Sequence, residues 1–544
     1  MRLADQDLLG YGSYRRLVEE FEWDIPERMN MASEVFDRWS EDRGRVAIFV
    51  EHADGRRDTW SYWRLIRLAK RYANFLVSLG VQPGDRVSLV MHQGAELAAL
   101  HLAVYAVGAV ALPMSILYGP DSYRHILSDS ATGVIVVGEP YADPIRSVRD
   151  DLPDLATVVI SGQPEEGERS LTEAVGYPAD FVPVDTASED PALLLYTSGS
   201  TGHPKGALHA HRILEGYLLT FKLFFNVEFD ESTVFYTPSD WAWVGGLLDI
   251  LLPALVFGRP VVADEERFSA ERAFEVIGRN GVTHAFLTPT ALKVMAQVPD
   301  PGPRFDLDLR VVASGGESVA DELHRWSERR LGAVINEFYG LTEVNHLVGG
   351  CEALWPGRPG WMGLPYPGRE VAVLGEDGEE IAPGEIGEIA VRPGDPTQML
   401  EYWANPAATA GMRRDGWIMT GDQALLDAAG YIRFLGRDDD MIASAGYRIG
   451  PAEVEESLVR HPAVAEVAVI PAPDQIRGNV VKAMVVLADG CRGDDELTAE
   501  LQAQVRTQLA AYKYPRIVQY VDRLPKTSTG KLNRKLLAAQ ARSA

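Results

Sequence analysis

What this chain can fold into is constrained above all by a rhythm. Up to about residue 340, short β-branched runs alternate with longer stretches of helical period. The runs "RVSLVM" (86–91), "GVIVVG" (133–138), "ATVVISG" (156–162) and "RVVASGG" (310–316) read as strands buried on both faces. Residues 62–79 and 96–107 read as amphipathic helices. Alternation of this kind predicts an α/β fold with parallel sheets layered between helices, because each parallel pair needs a crossover. Ser318 followed by Asp321 has capping-box spacing, and Gly332 marks the expected end of that helix.

After about residue 365 the rhythm changes. "REVAVLGEDGEEIAPGEIGEIAVR" is two β runs around a turn, and "GYIRFLGR" follows another turn, so this part reads as an antiparallel, barrel-like β unit. The last hundred residues read as a small α+β module. "GPAEVEESLVRHP" is a helix with Pro451 at its start, Glu453 in its first turn and Pro462 beyond its end. "AVAEVAVI" and "VVKAMVVLA" are strands, and "DELTAELQAQVRTQLA" is a second helix. The boundary falls at "GRDDDMI" (436–442), giving a large domain over 1–437 and a small one over 438–544.

The net charge of −26 makes the chain as a whole repel nucleic acid and anionic membranes, while leaving room for a local basic site. Cys351 and Cys491 form no disulfide framework or metal cluster. The N-terminus lacks an apolar signal core. The most apolar stretch, 245–258, is too short for a bilayer, which needs about 20 apolar residues, and reads as a buried helix. These features predict a cytoplasmic protein with no membrane partner.

One stretch cannot be core. "YTSGSTGHPKG" (196–206) follows the β run "ALLLY". Gly199, Gly202 and Gly206 permit close backbone approach to a ligand. Successive backbone N–H groups, the hydroxyls of Thr197, Ser198, Ser200 and Thr201, and the Lys205 charge suit a polyphosphate. An ordinary P-loop needs Ser or Thr after its lysine, and Gly206 stands there instead. The dinucleotide fingerprint GxGxxG fails as well.

The stretch resembles the phosphate loop of the adenylate-forming enzymes: acyl- and aryl-CoA synthetases, peptide-synthetase adenylation domains and luciferases. "YGLTE" (339–343), "TGD" (420–422), "GRDDDMIASAGYRIGPAEVE" (436–455) and "PKTSTGK" (525–531) match further motifs of that family in order along most of the chain. "SAGYRIGPAEVE", "HPAVAEVAVI", "RGNVVKA" and "YKYPR" are most similar to medium-chain acyl-CoA synthetases.

The resemblance implies a two-step reaction. A carboxylate joins the α-phosphate of ATP and releases pyrophosphate; coenzyme A then displaces AMP to give a thioester. It implies that the loop from Thr197 to Lys205 cradles the β- and γ-phosphates, and that Lys531 supplies the cation between carboxylate and α-phosphate. Thr342 would bond the α-phosphate and Glu343 would hold Mg²⁺. Gly316, Glu317 and Ser318 would lie along the adenine, with Glu337, Phe338, Tyr339, Gly340 and Leu341 flanking it. Asp422 and Arg437 would bind the ribose. Asp439 matches the hinge about which the small domain turns. In one pose Lys531 enters; in the other, Ala445, Gly446 and Tyr447 line a tunnel for the coenzyme A arm and Arg448 faces the adenylate. Arg477, Tyr512, Lys513 and Tyr514 match positions that contact coenzyme A, whereas Lys526 and Lys535 read as solvated.

For the acyl group, acetate-specific relatives carry a tryptophan where this chain has Gly340, which implies an acid larger than propionate, whether medium-chain, branched or aromatic. Trp243 is the better candidate for a pocket wall than Trp241. Leu341 departs from the glutamine of medium-chain members. The competing readings are an adenylating ligase that loads a carrier protein and an inactive nucleotide-binding scaffold. The coenzyme A-type residues weigh against the first, and Lys531, Glu343 and Asp422 against the second. In related synthetases the motif lysine is reversibly acetylated, which makes a lysine acetyltransferase and deacetylase expected partners at Lys531.

Overall fold

Strand Val134–Gly138 is buried along its whole length, as a strand covered on both faces must be. It sits inside an eight-stranded sheet of a computed structural model. The structure describes residues 3–197, 204–437, 440–444, 447–474, 478–509, 513–526, 532–534 and 536–537. The chain divides into two compact units. One comprises Met1–Gly357, Pro365–Arg369 and Arg392–Arg413; the other comprises Arg358–Leu364, Glu370–Val391 and Arg414–Ala544.

The first unit holds two mostly parallel sheets. In one, Pro191–Thr197, Val110–Pro113, Arg86–Val90, Val134–Gly138, Thr157–Ser161 and Arg169–Ser170 run parallel. Lys205–Ala210 and Glu401–Tyr402 add antiparallel at the edge beyond Pro191–Thr197. In the other, Val46–Glu51, Val261–Asp264, Phe235–Tyr236, His284–Phe286, Val311–Gly315 and Val334–Leu341 run parallel. Asn345–Gly349 turns back antiparallel beside Val334–Leu341. The strands expected from the β-branched runs are all present.

Helix Tyr62–Ser78 is amphipathic as expected, burying Leu65, Ile66, Ala69, Tyr72, Ala73 and Leu76. Helix Ala95–Val107 is not. Every residue in it except Glu96 is buried, His101 included. The apolar 245–258 stretch is helical throughout most of its length, but Leu247–Leu251 forms a π-turn that carries the buried Asp249. The cap expected at Ser318 is absent. Helix Asp321–Trp326 begins after Ala320, because the N–H of Val319 donates to Glu337 Oε1 at 3.2 Å and ties 316–320 to the neighbouring strand. Gly332, at φ 71°, ends the helical segment as expected.

In the second unit, Val371–Leu374, Ile386–Val391, Trp417–Leu426 and Ile432–Arg437 form an antiparallel sheet. A second sheet of Ile442–Ser444, Tyr447–Ile449, Val464–Asp474, Gly478–Leu487 and Ile517–Tyr520 packs on helices Pro451–Val459 and Asp495–Gln508. Strand Ile432–Arg437 and helix Pro451–Val459 lie together across the 437/438 cut. Arg433 pairs with Glu456 at 2.8 Å, and a Cβ on Gly450 would lie 2.5 Å from the Leu435 carbonyl. Among the described residues no helix is long and apolar enough to cross a membrane.

Candidate active site

The glycine-rich loop is held at its feet. Thr197 and Lys205 are directly opposite across the antiparallel pair Pro191–Thr197 and Lys205–Ala210, so the chain leaves and returns at one point. Ser198, Gly199, Ser200, Thr201 and Gly202 lie outside the described residues. Helix Pro120–Asp129 grips both feet. Tyr196 OH donates to Asp129 Oδ2 at 2.5 Å, and His125 Nε2 lies 3.1 Å from the carbonyl of Pro204. Gly206 serves packing rather than ligand approach. Its backbone is not left-handed, and a Cβ there would meet Leu194 at 2.8 Å and the Tyr196 ring at 3.1 Å.

Lys205 leads to the next part. Its Nζ lies 5.2 Å from the centre of the Tyr402 ring, and Tyr402 OH donates to Glu343 Oε1 at 2.5 Å. Glu343 is fixed along its backbone as well, its carbonyl accepting from Met399 N at 2.9 Å. A cation, a phenol and a carboxylate thus stand in line where strand Val334–Leu341 turns back as Asn345–Gly349. Lone carboxylates beside lysines suit a divalent cation shared with phosphates, since Mg²⁺ takes one or two protein carboxylates and completes its shell from substrate and water. No group of three or more acidic, His or Cys side chains that could hold a metal by itself occurs among the described residues. Tyr402 was not anticipated. The aromatic pair in "EYWANP", directly before the helix start at Asn405 and Pro406, is the signal that marks it.

Strands Val311–Gly315 and Val334–Leu341, which carry or lead into the residues expected along the adenine, pair side by side in parallel. Ser314 pairs with Glu337 and Gly315 with Phe338. Gly316 has φ +86°, and Gly315 has no room for a Cβ, which would lie 2.8 Å from the Phe338 carbonyl. Glu317 accepts from Thr290 Oγ1 at 2.9 Å, and Ser318 is exposed. Phe338 turns its ring into the core, 4.9 Å from Phe224 and 5.7 Å from Phe286, so only its backbone is left to face a ligand. Tyr339 is nearly buried, while Leu341 and Thr342 are half-buried.

Gly340 has a steric reason of its own. A Cβ there would lie 2.0 Å from the Asn345 carbonyl oxygen and 3.0 Å from His346 Cα. As the hairpin of this chain stands, a side chain at this position would need the Asn345 backbone to shift. Of the two candidate tryptophans, Trp241 is fully buried and Trp243 is half-buried, with its ring 5.9 Å from and edge-on to Tyr118. Asp240, directly before Trp241, accepts from Ser115 Oγ at 3.0 Å, and burial raises its carboxyl above the usual range. Beneath Thr342, burial drives the His209 imidazole down to about 3, Arg212 adding to this and the Thr342 backbone pulling the other way.

The second unit brings Asp422 and Arg437 together. They are opposite each other on Trp417–Leu426 and Ile432–Arg437, with Arg437 Nε 3.4 Å from Asp422 Oδ1. "TGD" is therefore part of a strand. Thr420 Oγ1 donates to the Ile389 carbonyl and accepts from Asp422 N, which fixes the aspartate from below. Lys513 pairs with Glu453 at 2.6 Å, and the Tyr514 ring lies between Arg506 (3.8 Å) and Arg516 (4.9 Å). Lys526 makes an exposed pair with Glu466. Tyr447 and Arg448 lie on strand Tyr447–Ile449. Asp439, Ala445, Gly446, Arg477, Tyr512, Lys531 and Lys535 lie outside the described residues.

Residues 36–403 match the family model described as AMP-binding enzyme, and residues 453–531 match its C-terminal domain. The chain is 34% identical to an uncharacterized acyl-CoA ligase, YtcI, of Bacillus subtilis, over 94% of this chain and 95% of that protein. It is 33% identical to the human mitochondrial acyl-coenzyme A synthetase ACSM4, over 95% and 91%. Among solved structures, an anthranilate CoA ligase, AuaEII, in complex with anthranoyl-AMP superposes with a TM-score of 0.87. It is 29% identical, over 96% of this chain and 98% of that one.

Proposed function

Because the chain belongs to the AMP-binding enzyme family of adenylate-forming acid–thiol ligases, we propose that it activates a carboxylic acid larger than propionate and transfers it to coenzyme A. In the first step a carboxylate oxygen attacks the α-phosphorus of ATP and the bond to the β-phosphate oxygen breaks, giving acyl-AMP and pyrophosphate. In the second, the coenzyme A thiol gives up its proton to solvent, its sulfur attacks the acyl carbon, the bond from that carbon to the phosphate oxygen breaks and AMP leaves. The observation that carries this reading is the line Lys205–Tyr402–Glu343 at the mouth of the phosphate loop.

In this reading the loop from Thr197 to Lys205 holds the leaving pyrophosphate, and Thr342 bonds the α-phosphate. Glu343 would hold Mg²⁺, whose charge neutralises the phosphates when bound. Gly316–Ser318 and Glu337–Leu341 take the adenine, and Asp422 with Arg437 takes the ribose. Lys531 brings positive charge to the reacting oxygens; removal of one such group costs on the order of 10²–10³ in rate. Its acetylation would stop the first step alone. Asp439 is the hinge, and Ala445–Tyr447, Arg477 and Tyr512–Tyr514 meet coenzyme A. Lys513 would have to exchange Glu453 for a phosphate.

Trp243 and Tyr118 supply an aromatic acyl wall, and similarity to a ligase of anthranilate supports aromatic acids within the substrate range. The test is pyrophosphate release, with and without coenzyme A, for acetate, butyrate, hexanoate, octanoate, a branched acid and benzoate. We expect release with the larger acids and thioester only when coenzyme A is present. Release without thioester would indicate a carrier-loading ligase. Preference for acetate would refute the acyl-pocket reading, and no release with any acid would refute the function.

A further inference from the structure

Beneath the Thr342–Glu343 turn lies a buried polar assembly that none of these roles uses. Asp249, in the π-turn Leu247–Leu251, is 2% exposed, and Oδ1 faces His346 Nε2 at 3.0 Å. His346 is itself buried and stands three residues beyond Glu343. Its Nδ1 lies 2.9 Å from Thr220 Oγ1, whose own proton is directed at the Tyr217 carbonyl at 3.3 Å. Nδ1–H therefore donates to Thr220, and Nε2 faces the Asp249 carboxyl, which burial favours in its protonated form. The rings of Tyr217, Phe224 and Phe338 close around the imidazole at 4.7, 5.4 and 4.5 Å.

The assembly continues toward the turn. Asn345 has φ +54°, and its amide is held at both ends. Oδ1 accepts from Tyr217 OH, and Nδ2 donates to the Thr397 carbonyl at 2.6 Å. Thr397 Oγ1 in turn has two acceptors within reach of its one proton, Asp395 Oδ1 at 2.5 Å and the Val344 carbonyl at 3.0 Å. The two residues that follow Glu343–Val344 are thus fixed from below by buried hydrogen bonds.

A carboxylate–imidazole pair is a poor way to stabilise a core, because desolvation offsets its attraction, and apolar residues of similar size often do as well. This pair sits among three aromatic rings, where such residues would pack. What it does contribute is a link. Asp249 belongs to the segment that opens with Trp241 and Trp243, and His346 belongs to the return strand of the hairpin that carries Thr342 and Glu343.

We propose that Asp249 and His346 are positioning residues that set the Thr342–Glu343 turn against the acyl wall, so that carboxylate and α-phosphorus meet in line. The inference rests on the adenylating reading of the site. A displacement of about 1 Å at a reacting centre costs on the order of 100-fold in rate. The effect belongs to the first half-reaction, where triphosphate, metal and acid must be aligned together.

The test uses full-length Asp249→Asn, His346→Gln and the double variant Asp249→Leu/His346→Phe. Each is assayed for pyrophosphate release and, separately, for thioester formation from synthetic acyl-adenylate and coenzyme A, alongside thermal unfolding. The double variant replaces the pair by apolar volume and is expected to stay folded; the two near-isosteric singles carry the test if it does not. Expected are a kcat for pyrophosphate release lowered about 30- to 100-fold, KM for ATP changed less than about threefold, and thioester formation from the adenylate within about threefold of wild type. Each single should cost about as much as the double, since the two act as a unit. Equal losses in both half-reactions, wild-type release by a folded variant, or additive single losses would overturn the inference while leaving the function standing. Failure of the wild-type protein to release pyrophosphate would overturn both.

Discussion

Tyr402 is the residue on which the site's geometry turns. It stacks under the Lys205 ammonium and donates to Glu343, so one phenol orients the cation meant for the leaving phosphates and the carboxylate meant for the metal. Tyr402→Phe keeps the ring and removes only the hydroxyl. A hydrogen bond to a charged group is worth about 1.5–3 kcal/mol. Pyrophosphate release should therefore fall about 10- to 100-fold at fixed Mg²⁺, with the unfolding midpoint nearly unchanged; unaltered release would remove Tyr402 from the site. At this scale the sequence was partly legible. Lys205 was singled out by the composition of its glycine-rich loop and Glu343 by the resemblance of "YGLTE" to a family motif. Tyr402 was not, because its partners lie 59 and 197 positions away and only the folded edge strand Glu401–Tyr402 brings them together. Gly206 and Gly340 carried the opposite lesson. Both read as open space for a ligand, and at both a Cβ would instead meet neighbouring groups of the protein.

At the scale of elements, period and composition located strands well, since a parallel strand covered on both faces has to be apolar throughout. Helix Ala95–Val107, expected to be amphipathic, carries a single acidic residue, Glu96, and is buried everywhere else. Burial of that helix has a measurable consequence. His101, inside it, is driven down to about 3, as is His209 on Lys205–Ala210; His211 and His284 are driven to about 4, in each case chiefly by burial. These imidazoles stay neutral in the folded chain but take up protons near pH 6.5 when it unfolds. Their contribution to stability is therefore complete above about pH 6.5 and is lost as pH falls toward 4 and then 3, at about 1.4 kcal/mol per group and pH unit. Asp240 and Asp249, raised by burial, act in the opposite sense. The unfolding midpoint should drop steeply between pH 6.5 and about 4.5; a flat midpoint across that window would contradict the neutral buried histidines.

At the scale of the whole molecule, the chain distributes the expected chemistry over two units. The residues proposed for phosphate, metal and adenine lie in the first, and the Asp422–Arg437 pair lies in the second. Motif order along the sequence made that distribution legible, because each motif carries its own local constraint. The unit boundaries were less legible, since strand Ile432–Arg437 and helix Pro451–Val459 are joined by packing at Gly450 and by the Arg433–Glu456 pair rather than by any break in composition. The central claim is that the acid's own oxygen attacks the α-phosphorus. It is tested most directly with an acid labelled with ¹⁸O in its carboxylate, incubated with ATP, Mg²⁺ and coenzyme A, and followed by mass spectrometry of the nucleotide product. The account predicts AMP carrying one ¹⁸O for each thioester formed; unlabelled AMP, or ADP with inorganic phosphate in its place, would contradict it.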